Sequence, residues 1–289
     1  MNHPTVINYP GFDLAAFITR ALGEDNGDGD HTSLACIPER QKGKFRLMAK
    51  SHGIIAGVEL GLCILKFSDP DVRISLTLKD GSPVRPGDTV FIAEGNTRKL
   101  LGAERVLLNC MQRMSGIATK TNEMVKQLHG LKTKLLDTRK TTPGFRVPEK
   151  WAVKTGGGEN HRMGLYDMIL IKDNHIDSAG GIKQAIFACR EYLSKNNRSM
   201  KVEVEARSIE DVKEIMANGD VDRIMLDNFS PEDIREAIEL IKGQYITEAS
   251  GNITRENIRS YAETGVDYIS SGELTHSFRS LDLSFKVIQ

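Results

Sequence analysis

The feature that most constrains the fold is a regular alternation of strand-like and helix-like segments from Lys134 onward. Strands that alternate with amphipathic helices are joined by right-handed crossovers and run parallel. The strand-like runs are Lys134–Asp137, Met168–Ile171, Val202–Glu205, Arg223–Leu226, Gln244–Glu248 and Asp267–Ser270. The helices between them are Gly181–Leu193, Ile209–Ala217, Pro231–Ile241 and Arg255–Thr264. Six strands, or seven with a short one near Gly156, suit a closed β/α barrel better than an open sheet.

Polar and charged residues follow almost every one of these strands. They are Asp137–Lys140, Lys172–His175, Glu205–Arg207, Asp227–Asn228, Glu248–Asn252 and Ser271–Glu273. In a β/α barrel the carboxyl ends of all strands lie on one face, which is where active sites form. The sequence therefore predicts a polar, charged pocket at that face.

A basic set of residues lies at or near these strand ends: Arg139, Lys140, His161, Arg162 and Lys172. Arginine binds a carboxylate or phosphate through two parallel hydrogen bonds, and lysine adds a mobile point charge. This combination suits a small polyanion. The alternative is that each residue is an ordinary solvated surface charge.

An acidic set consists of Glu205 and Asp227, with Glu203 two residues before Glu205. Because side chains alternate along a strand, Glu203 and Glu205 should point the same way. Inward carboxylates could accept hydrogen bonds from sugar hydroxyls or hold Mg²⁺. The alternative is a pair buried against lysine or arginine for structural reasons.

Small residues follow the last two strands, at Ser250-Gly251-Asn252 and Ser271-Gly272. Loops at these positions of a barrel often bind phosphate, because glycine lets backbone N–H groups approach it closely. The alternative is a pair of ordinary turns between strand and helix.

The first part of the chain has a different pattern and predicts a separate α/β domain. Its predicted elements are a helix at Phe12–Leu22, strands at Lys44–Lys50, Gly53–Gly57, Ile74–Lys79 and Thr89–Glu94, and a helix at Val58–Phe67. A long helical stretch from Gly102 to about His129 then connects the two parts. We predict an N-terminal domain at residues 1–116, a barrel domain at 117–276, and a tail, 277–289, that packs with the N-terminal domain.

Composition excludes several classes of function. Lysine plus arginine and aspartate plus glutamate both number 39, so the net charge is zero and gives no general attraction to nucleic acid or membrane. The four cysteines form no CxxC pair, which argues against a zinc site or a disulfide framework. The first residues, MNHPTVINYPGF, do not resemble a signal peptide, and no run of 18 apolar residues occurs. We therefore expect a cytoplasmic protein.

Longer segments resemble the quinolinate phosphoribosyltransferase family over nearly the whole chain, except around Asp69–Asp80 and Glu191–Met200. They include EDNGDGDHTS (24–33), AERVLLNCMQRMSGIAT (103–119), LLDTRKTTPGFR (135–146) and KTGGGENHRMGLYDMILIKDNH (154–175). The resemblance implies an α/β fold with an N-terminal α/β sandwich domain and an incomplete, seven-stranded β/α barrel. It also implies that quinolinate and phosphoribosyl pyrophosphate (PRPP) are converted to nicotinate mononucleotide, pyrophosphate and CO₂.

The resemblance further implies the roles of individual residues. Quinolinate would bind to Arg105, Thr138, Arg139, His161, Arg162 and Lys172. The PRPP phosphates would bind to Lys140, Ser250, Gly251, Asn252, Ser271 and Gly272. The catalytic groups would be Lys140, Lys172, Glu205 and Asp227, and Glu205 and Asp227 would also hold Mg²⁺, directly or through water. Arg105 would come from the partner subunit of a homodimer or higher homo-oligomer.

Three alternative functions are compatible with a barrel of this kind. A lyase or aldolase would use Lys172 or Lys140 as a Schiff-base nucleophile. A related transferase would act on another pyridine or pyrimidine acid, although five cations match a dicarboxylate better than a monocarboxylate. A sensor of a phosphorylated ligand would bind tightly without turnover.

Overall fold

The computed structural model describes residues 12–288, which form eleven helices and twelve strands. Residues 1–11, for which the sequence predicts no signal peptide, and residue 289 lie outside the described part. The elements up to the long helix are α1 (Leu14–Asn26), α2 (His31–Cys36), β1 (Lys42–Ala49), β2 (Gly53–Ile54), α3 (Val58–Ser68), β3 (Arg73–Leu76), β4 (Pro83–Val84), β5 (Thr89–Asn96) and α4 (Thr97–Gln127). The others are β6 (Lys134–Leu136), α5 (Arg146–Thr155), β7 (Ile169–Ile171), α6 (Asp173–Ala179), α7 (Ile182–Lys195), β8 (Val202–Ala206), α8 (Ile209–Asn218), β9 (Arg223–Asp227), α9 (Pro231–Ile241), β10 (Ile246–Ser250), α10 (Ile258–Ala262), β11 (Tyr268–Ser270), α11 (Glu273–His276) and β12 (Leu283–Ile288).

The chain divides into two compact units, and the first contains an antiparallel sheet. This unit comprises the residues up to Asn122, Thr142–Gly157 and the residues from Phe278. Its four strands are ordered β12-β1-β5-β3. The C-terminal strand β12 pairs with β1, where Phe285 stacks on Phe45 with the ring centroids 5.1 Å apart. Residues near both ends of the chain therefore share one sheet and one aromatic core.

The long helix α4 buries one face, as its apolar spacing predicts. Seven residues on that face are at most 7% exposed: Val106, Leu107, Cys110, Met111, Met114, Ile117 and Ala118. Burial of this continuous apolar stripe stabilises the helix more than intrinsic propensity does. Its residues up to Asn122 belong to the first unit, and the last turn belongs to the second.

The second unit contains the predicted parallel strands. It comprises Glu123–Thr141 and Gly158–Ser277, and its six strands are ordered β6-β11-β10-β9-β8-β7. A single parallel bridge joins Leu136 of β6 to Glu159. Serine side chains begin the helices on this sheet: Ser208 accepts a hydrogen bond from the N–H of Asp211, and Ser230 from that of Asp233, both at 3.1 Å.

The α/β class and the parallel C-terminal sheet are confirmed, with one difference in strand number. The described residues form six hydrogen-bonded strands, and the seventh is reduced to the bridge at Glu159. No hydrogen-bonded closure of the barrel occurs within residues 12–288. Residues 142–157, including α5, cluster with the first unit, although the predicted boundary placed them in the barrel. Among the described helices, none combines the length and hydropathy needed to cross a membrane.

Alternation along β8 directs its carboxylates to one side of the sheet. Val202, Val204 and Ala206 are fully buried on one side, and Glu203 and Glu205 point to the other. This arrangement confirms that the two glutamates share a direction. Their surroundings differ, as the site shows.

Candidate active site

A pocket with a cavity volume of about 770 Å³ lies at the carboxyl ends of the parallel strands. The residues that line it all belong to the second unit. Those predicted from the sequence are Thr138, Arg139, Lys140, His161, Arg162, Lys172, Asp227, Ser250, Gly251, Asn252, Ser271 and Gly272. The strand-end rule therefore located the pocket correctly.

Two predicted site residues do not line this pocket. Glu205 lies beside it, with its Oε2 atom 3.9 Å from Nζ of Lys172 and a side chain that is only 7% exposed. Arg105 is exposed on α4 in the first unit and makes no ion pair within the described part of the chain. Its charge acts on the neighbouring Glu104, whose pKa burial raises and Arg105 lowers, but the two side chains do not form an ion pair.

A buried carboxylate, Asp137, holds the basic loop in place. Its two oxygens accept hydrogen bonds from the His161 N–H at 2.9 Å and from the Asn160 side-chain amide at 2.6 Å. Asp137 is fully buried directly after β6, so the residues that follow it begin at a fixed point. The sequence marks Asp137 as a strand-end residue, but its role in positioning the loop emerges only from the structure.

Arg139 and Arg162 form the most strongly cationic part of the pocket. Arg162 is 9% exposed, and burial followed by the charge of Arg139 lowers its pKa. The buried Nε atom of Arg139 has no hydrogen-bond partner among the described residues. The guanidinium of Arg162 is partly satisfied, because its Nη1 donates to the Met168 carbonyl at 3.1 Å. A bound anion would relieve both the repulsion between the two guanidinium groups and the missing hydrogen bond of Arg139.

Beneath the pocket lies a group of four charged side chains, which we call the buried cluster: His161, Glu203, Arg223 and Glu248. The Nε2 atom of His161 is 3.0 Å from Glu203 Oε2 and 3.3 Å from Glu248 Oε2. Arg223 Nη1 donates to Glu248 Oε2 at 2.6 Å, and its guanidinium lies over the Tyr268 ring, 4.6 Å from the centroid. Both glutamates are fully buried, and His161 and Arg223 are the cationic groups that face them.

Protons in this cluster are shared between His161 and its neighbours. Burial opposes protonation of His161, but hydrogen bonds to Glu203 and Glu248 outweigh it and raise the pKa to about 9. Burial and the charge of Glu248 raise the pKa of Glu203 to about 7. The backbone N–H of Arg162 donates to Nδ1 of His161 at 2.7 Å, so the hydrogen of the neutral ring lies on Nε2, and protonation of Nδ1 would require this contact to break. Since both shifts favour proton binding, the His161–Glu203 pair holds more protons folded than unfolded.

The same cluster has the composition of a metal site, but its contacts argue against one. Ligand atoms of His161, Glu203 and Glu248 lie within 4.8 Å of one another. Arg223 already occupies Glu248 Oε2, and its Nε lies 3.9 Å from Glu203 Oε1. A fixed guanidinium therefore supplies the positive charge that an ion would bring.

Glu205 and Asp227 differ from the buried cluster because they border the open pocket. Burial and then the charge of Asp227 raise the pKa of Glu205. Burial raises the pKa of Asp227 too, although Lys172 and a hydrogen bond from Asn228 lower it. Carboxylates that repel one another beside a cavity are suited to a divalent cation or to sugar hydroxyls.

The small-residue loops present backbone groups to the pocket. Gly251 has φ 100° and Asn252 has φ 51°, both in the left-handed region. Ser271 does not point its hydroxyl outward: its Oγ donates to the Ile253 carbonyl at 2.8 Å and braces the two loops against each other. The Ser250 hydroxyl has no such internal bond among the described residues.

Several lining residues were not assigned a role from the sequence: Leu170, Met225, Asn228, Glu248, Ile253, Thr254, Ser270, Glu273, His276 and Ser277. Asn228, Glu248 and Glu273 carry the strand-end signal and could have been found by applying it fully. His276 lies at the end of α11, a four-residue helix that the apolar pattern does not reveal.

The fold and the pocket together define an α/β protein with a cationic pocket suited to a small anion. The C-terminal domain of the quinolinate phosphoribosyl transferase family matches residues 117–286, and the N-terminal domain matches residues 30–115. A chloroplastic nicotinate-nucleotide pyrophosphorylase (carboxylating) of Arabidopsis thaliana is 46% identical, covering 97% of this chain and 84% of the relative. A probable nicotinate-nucleotide pyrophosphorylase (carboxylating) of Bacillus subtilis is 44% identical, covering 91% of this chain and 90% of the relative.

A solved structure agrees with these sequence relatives. NadC from Streptococcus pyogenes superposes with a TM-score of 0.90 at 39% identity, covering 98% of this chain and 99% of that one. The chain therefore belongs to the quinolinate phosphoribosyltransferase family. It is a phosphoribosyltransferase, one of the glycosyltransferases, and the resemblance seen in the sequence is confirmed.

Proposed function

We propose that this enzyme transfers the phosphoribosyl group of PRPP to quinolinate and releases pyrophosphate and CO₂. The product, nicotinate mononucleotide, would enter NAD biosynthesis. Relatives that are 44–46% identical carry names for this reaction. The observation that carries the proposal is the pair Arg139 and Arg162, whose charges repel and of which Arg139 Nε has no hydrogen-bond partner among the described residues, in the same pocket as Lys140 and Lys172.

The two carboxylates of quinolinate would bind on the basic side of this pocket. Arg139 and Arg162 would each donate two hydrogen bonds to the oxygens of one carboxylate. Lys172 would add a positive charge on a flexible side chain. His161 would contribute from the pocket floor, and Thr138 would shape the turn, since its Oγ1 accepts the Lys140 N–H at 3.0 Å. A dicarboxylate explains the number of cations better than a monocarboxylate does.

PRPP would bind on the opposite set of strand ends. Lys140 would contact the pyrophosphate, and Glu205 and Asp227 would face the ribose hydroxyls. The 5′-phosphate would be held by backbone N–H groups of two loops, Ser250–Asn252 and Ser271–Gly272, with the Ser250 hydroxyl as an additional donor. The left-handed backbone at Gly251 and Asn252 supports this proposal, because it forms a concave loop next to the cavity.

Mg²⁺ fits the carboxylates of Glu205 and Asp227, which would hold it directly or through water. Their hard oxygen ligands match this ion. Burial and, after it, the charge of Asp227 raise the pKa of Glu205, and a bound cation would remove the repulsion between the two carboxylates. When bound, the ion would neutralise charge on the pyrophosphate leaving group.

The reaction requires charge stabilisation more than proton transfer. Loss of pyrophosphate leaves positive charge on the ribose carbon, which Glu205 and Asp227 would stabilise, while Lys140 would stabilise the departing anion. Attack by the ring nitrogen of quinolinate then creates a pyridinium. Its positive nitrogen accepts the electron pair of the adjacent C–CO₂⁻ bond, CO₂ leaves, and the ring carbon takes up a proton. Arg139, Arg162 and Lys172 would orient the ring so that this carboxylate is lost.

Arg105 would complete the site from a second copy of the chain. It is exposed and has no ion pair among the described residues, so its guanidinium is available for a partner's pocket. We accordingly propose a homodimer or higher homo-oligomer. A cytoplasmic location remains our proposal as well.

The test is to mix the purified protein with quinolinate, PRPP and Mg²⁺ and to follow nicotinate mononucleotide and CO₂. A parallel reaction contains nicotinic acid instead of quinolinate. Product from quinolinate alone is expected. Product from nicotinic acid alone would contradict the dicarboxylate assignment, and product from neither would contradict the proposed function.

A further inference from the structure

Asn228 connects the carboxylate of Asp227 to the loop Ser250–Asn252 through its side-chain amide. Its Nδ2 donates to Asp227 Oδ2 at 2.6 Å, and its Oδ1 accepts from Asn252 Nδ2 at 3.2 Å. The loop is held further along, because the Asn257 side-chain amide donates to the Asn252 carbonyl at 3.0 Å. One side chain thus links the ends of two neighbouring strands, β9 and β10.

The direction of this amide follows from the chemistry of its neighbours. An ionised carboxylate can only accept hydrogen bonds, so the NH₂ group of Asn228 must face Asp227. The amide oxygen then faces Asn252, whose own NH₂ group is used as the donor. No other common side chain of this length both donates to a carboxylate and accepts from an amide in this geometry.

The backbone also selects asparagine at this position. Asn228 has φ 58°, and its N–H donates to the Ser250 carbonyl at 2.8 Å. Asparagine tolerates the left-handed region better than other non-glycine residues do. A Cβ atom on Gly251 would overlap Asn228 Oδ1, so the amide lies directly on the glycine of the loop.

We propose that Asn228 is a positioning residue that sets the spacing between the ribose-binding carboxylate, Asp227, and the phosphate-binding loop, Ser250–Asn252. It acts on PRPP through both neighbours and leaves quinolinate unaffected. The inference rests on the proposed function, because it needs PRPP at this side of the pocket.

The first variant is Asn228→Gly, which removes the amide and retains the left-handed backbone without strain. Its matched control is Asn197→Gly, because Asn197 has φ 48°, follows α7 and does not line the pocket. Loss of hydrogen bonds to a charged group predicts that the KM for PRPP rises about 10- to 50-fold in Asn228→Gly. The dissociation constant of quinolinate alone, from calorimetry, should change less than about twofold.

A second variant, Asn228→Asp, keeps the shape and backbone preference but places a second carboxylate against Asp227. Asn228→Asp should weaken the binding of PRPP more than Asn228→Gly does, because repulsion between two carboxylates replaces a hydrogen bond. Calorimetry should show the same order for the affinity of ribose 5-phosphate without Mg²⁺: the affinity falls in Asn228→Gly and falls further in Asn228→Asp. This measurement does not depend on turnover.

A purely structural role predicts different results. In that case Asn228→Gly would lower the melting temperature and weaken the binding of PRPP and of quinolinate together. This result would overturn the inference. An Asn228→Gly enzyme with the PRPP and ribose 5-phosphate affinities of Asn197→Gly would overturn it too. Failure of the proposed function is distinguishable, because the unsubstituted enzyme would then make no nicotinate mononucleotide from quinolinate and PRPP.

Discussion

Two layers of charged side chains in the second unit differ in how their charges are satisfied. The buried cluster pairs two glutamates with Arg223 and His161, so that its formal charges nearly cancel. The upper layer, which borders the pocket, has four cations and three carboxylates: Arg139, Lys140, Arg162 and Lys172 against Glu205, Asp227 and Glu273. The lower layer therefore stabilises the barrel interior, and the upper layer leaves positive charge for a ligand.

Strand β8 contributes to both layers, which makes the comparison direct. Glu203 is fully buried against His161 and Arg223, whereas Glu205, two residues later, lies beside Lys172. The alternative of a carboxylate buried against a cation is confirmed for Glu203. Glu205 lies where a carboxylate can face a substrate. Depth in the barrel, rather than residue type, decides between the two roles.

The largest expected effect is on catalysis in the upper layer. Arg139→Ala should lower kcat/KM for quinolinate about a thousandfold, because a carboxylate loses a paired cation. The KM for PRPP should change less than about threefold, and the melting temperature should stay within a few degrees. Steady-state kinetics with each substrate varied in turn measure the effect on quinolinate and on PRPP separately. Arg139→Lys serves as the comparison. A comparable loss for both substrates would contradict the assignment of Arg139 to quinolinate.

The next effect is on stability in the buried cluster. Arg223→Met should lower the free energy of unfolding by about 3–5 kcal/mol, because Glu248 loses its cation while fully buried. The double variant Arg223→Met with Glu248→Gln should recover part of this loss, since the uncompensated charge is removed. Urea unfolding followed by circular dichroism measures both. A single variant as stable as the unsubstituted protein would show that this ion pair does not stabilise the lower layer.

The lower layer should also contribute a pH dependence to the stability of the fold. The pKa values of Glu203 and His161 rise from ordinary values of 4.5 and 6.5 to about 7 and about 9 on folding. Groups whose pKa is raised stabilise the fold below the unfolded pKa, and the contribution disappears as pH rises through the folded pKa. Stability from this pair should therefore fall between about pH 5 and pH 9.

The substitution Glu203→Gln tests this pH dependence. Glutamine resembles the protonated form of Glu203 and cannot release a proton. The free energy of unfolding of the variant should therefore fall less steeply from pH 6 to pH 9 than that of the unsubstituted protein, by on the order of 2 kcal/mol over this range. Glu239→Gln, on an exposed face of α9, is the control. Urea unfolding at several pH values from 6 to 9 gives the change of the unfolding free energy with pH for each protein. A variant whose stability falls as steeply with pH as that of the unsubstituted protein would contradict the raised pKa of Glu203.

The smallest effects separate two serines of the phosphate loops. Ser250→Ala should raise the KM for PRPP by about five- to tenfold, as expected for one lost hydrogen bond to a phosphate. Ser271→Ala should change this KM by less than about threefold and cost about 1 kcal/mol of stability, since its hydroxyl bonds to Ile253. The KM for PRPP and the melting curve of each variant decide between these roles. Equal effects of the two substitutions would show that the two serines do not have different roles.

Local patterns were sufficient for most of the fold. Strands β6 to β11 and the helices α7 to α9 have periodic apolar residues and clear ends, so their positions were predicted within a few residues. The helices α2, α5, α6 and α11 were missed, because they are short and carry polar residues or a proline at Pro148. Their burial and end contacts depend on neighbours that are distant in sequence.

The sequence alone determined the α/β class, the parallel order of strand and helix, and the face on which the pocket forms. These follow from apolar spacing and from polar residues at strand ends, both of which are local properties. Only the tertiary structure decided that Glu203 is neutralised while Glu205 borders the pocket, that Ser271 braces a loop, and that Asn228 links two strand ends. Such roles depend on which side chains meet across strands, and hydrogen bonding and desolvation there are set by depth and distance rather than by local sequence.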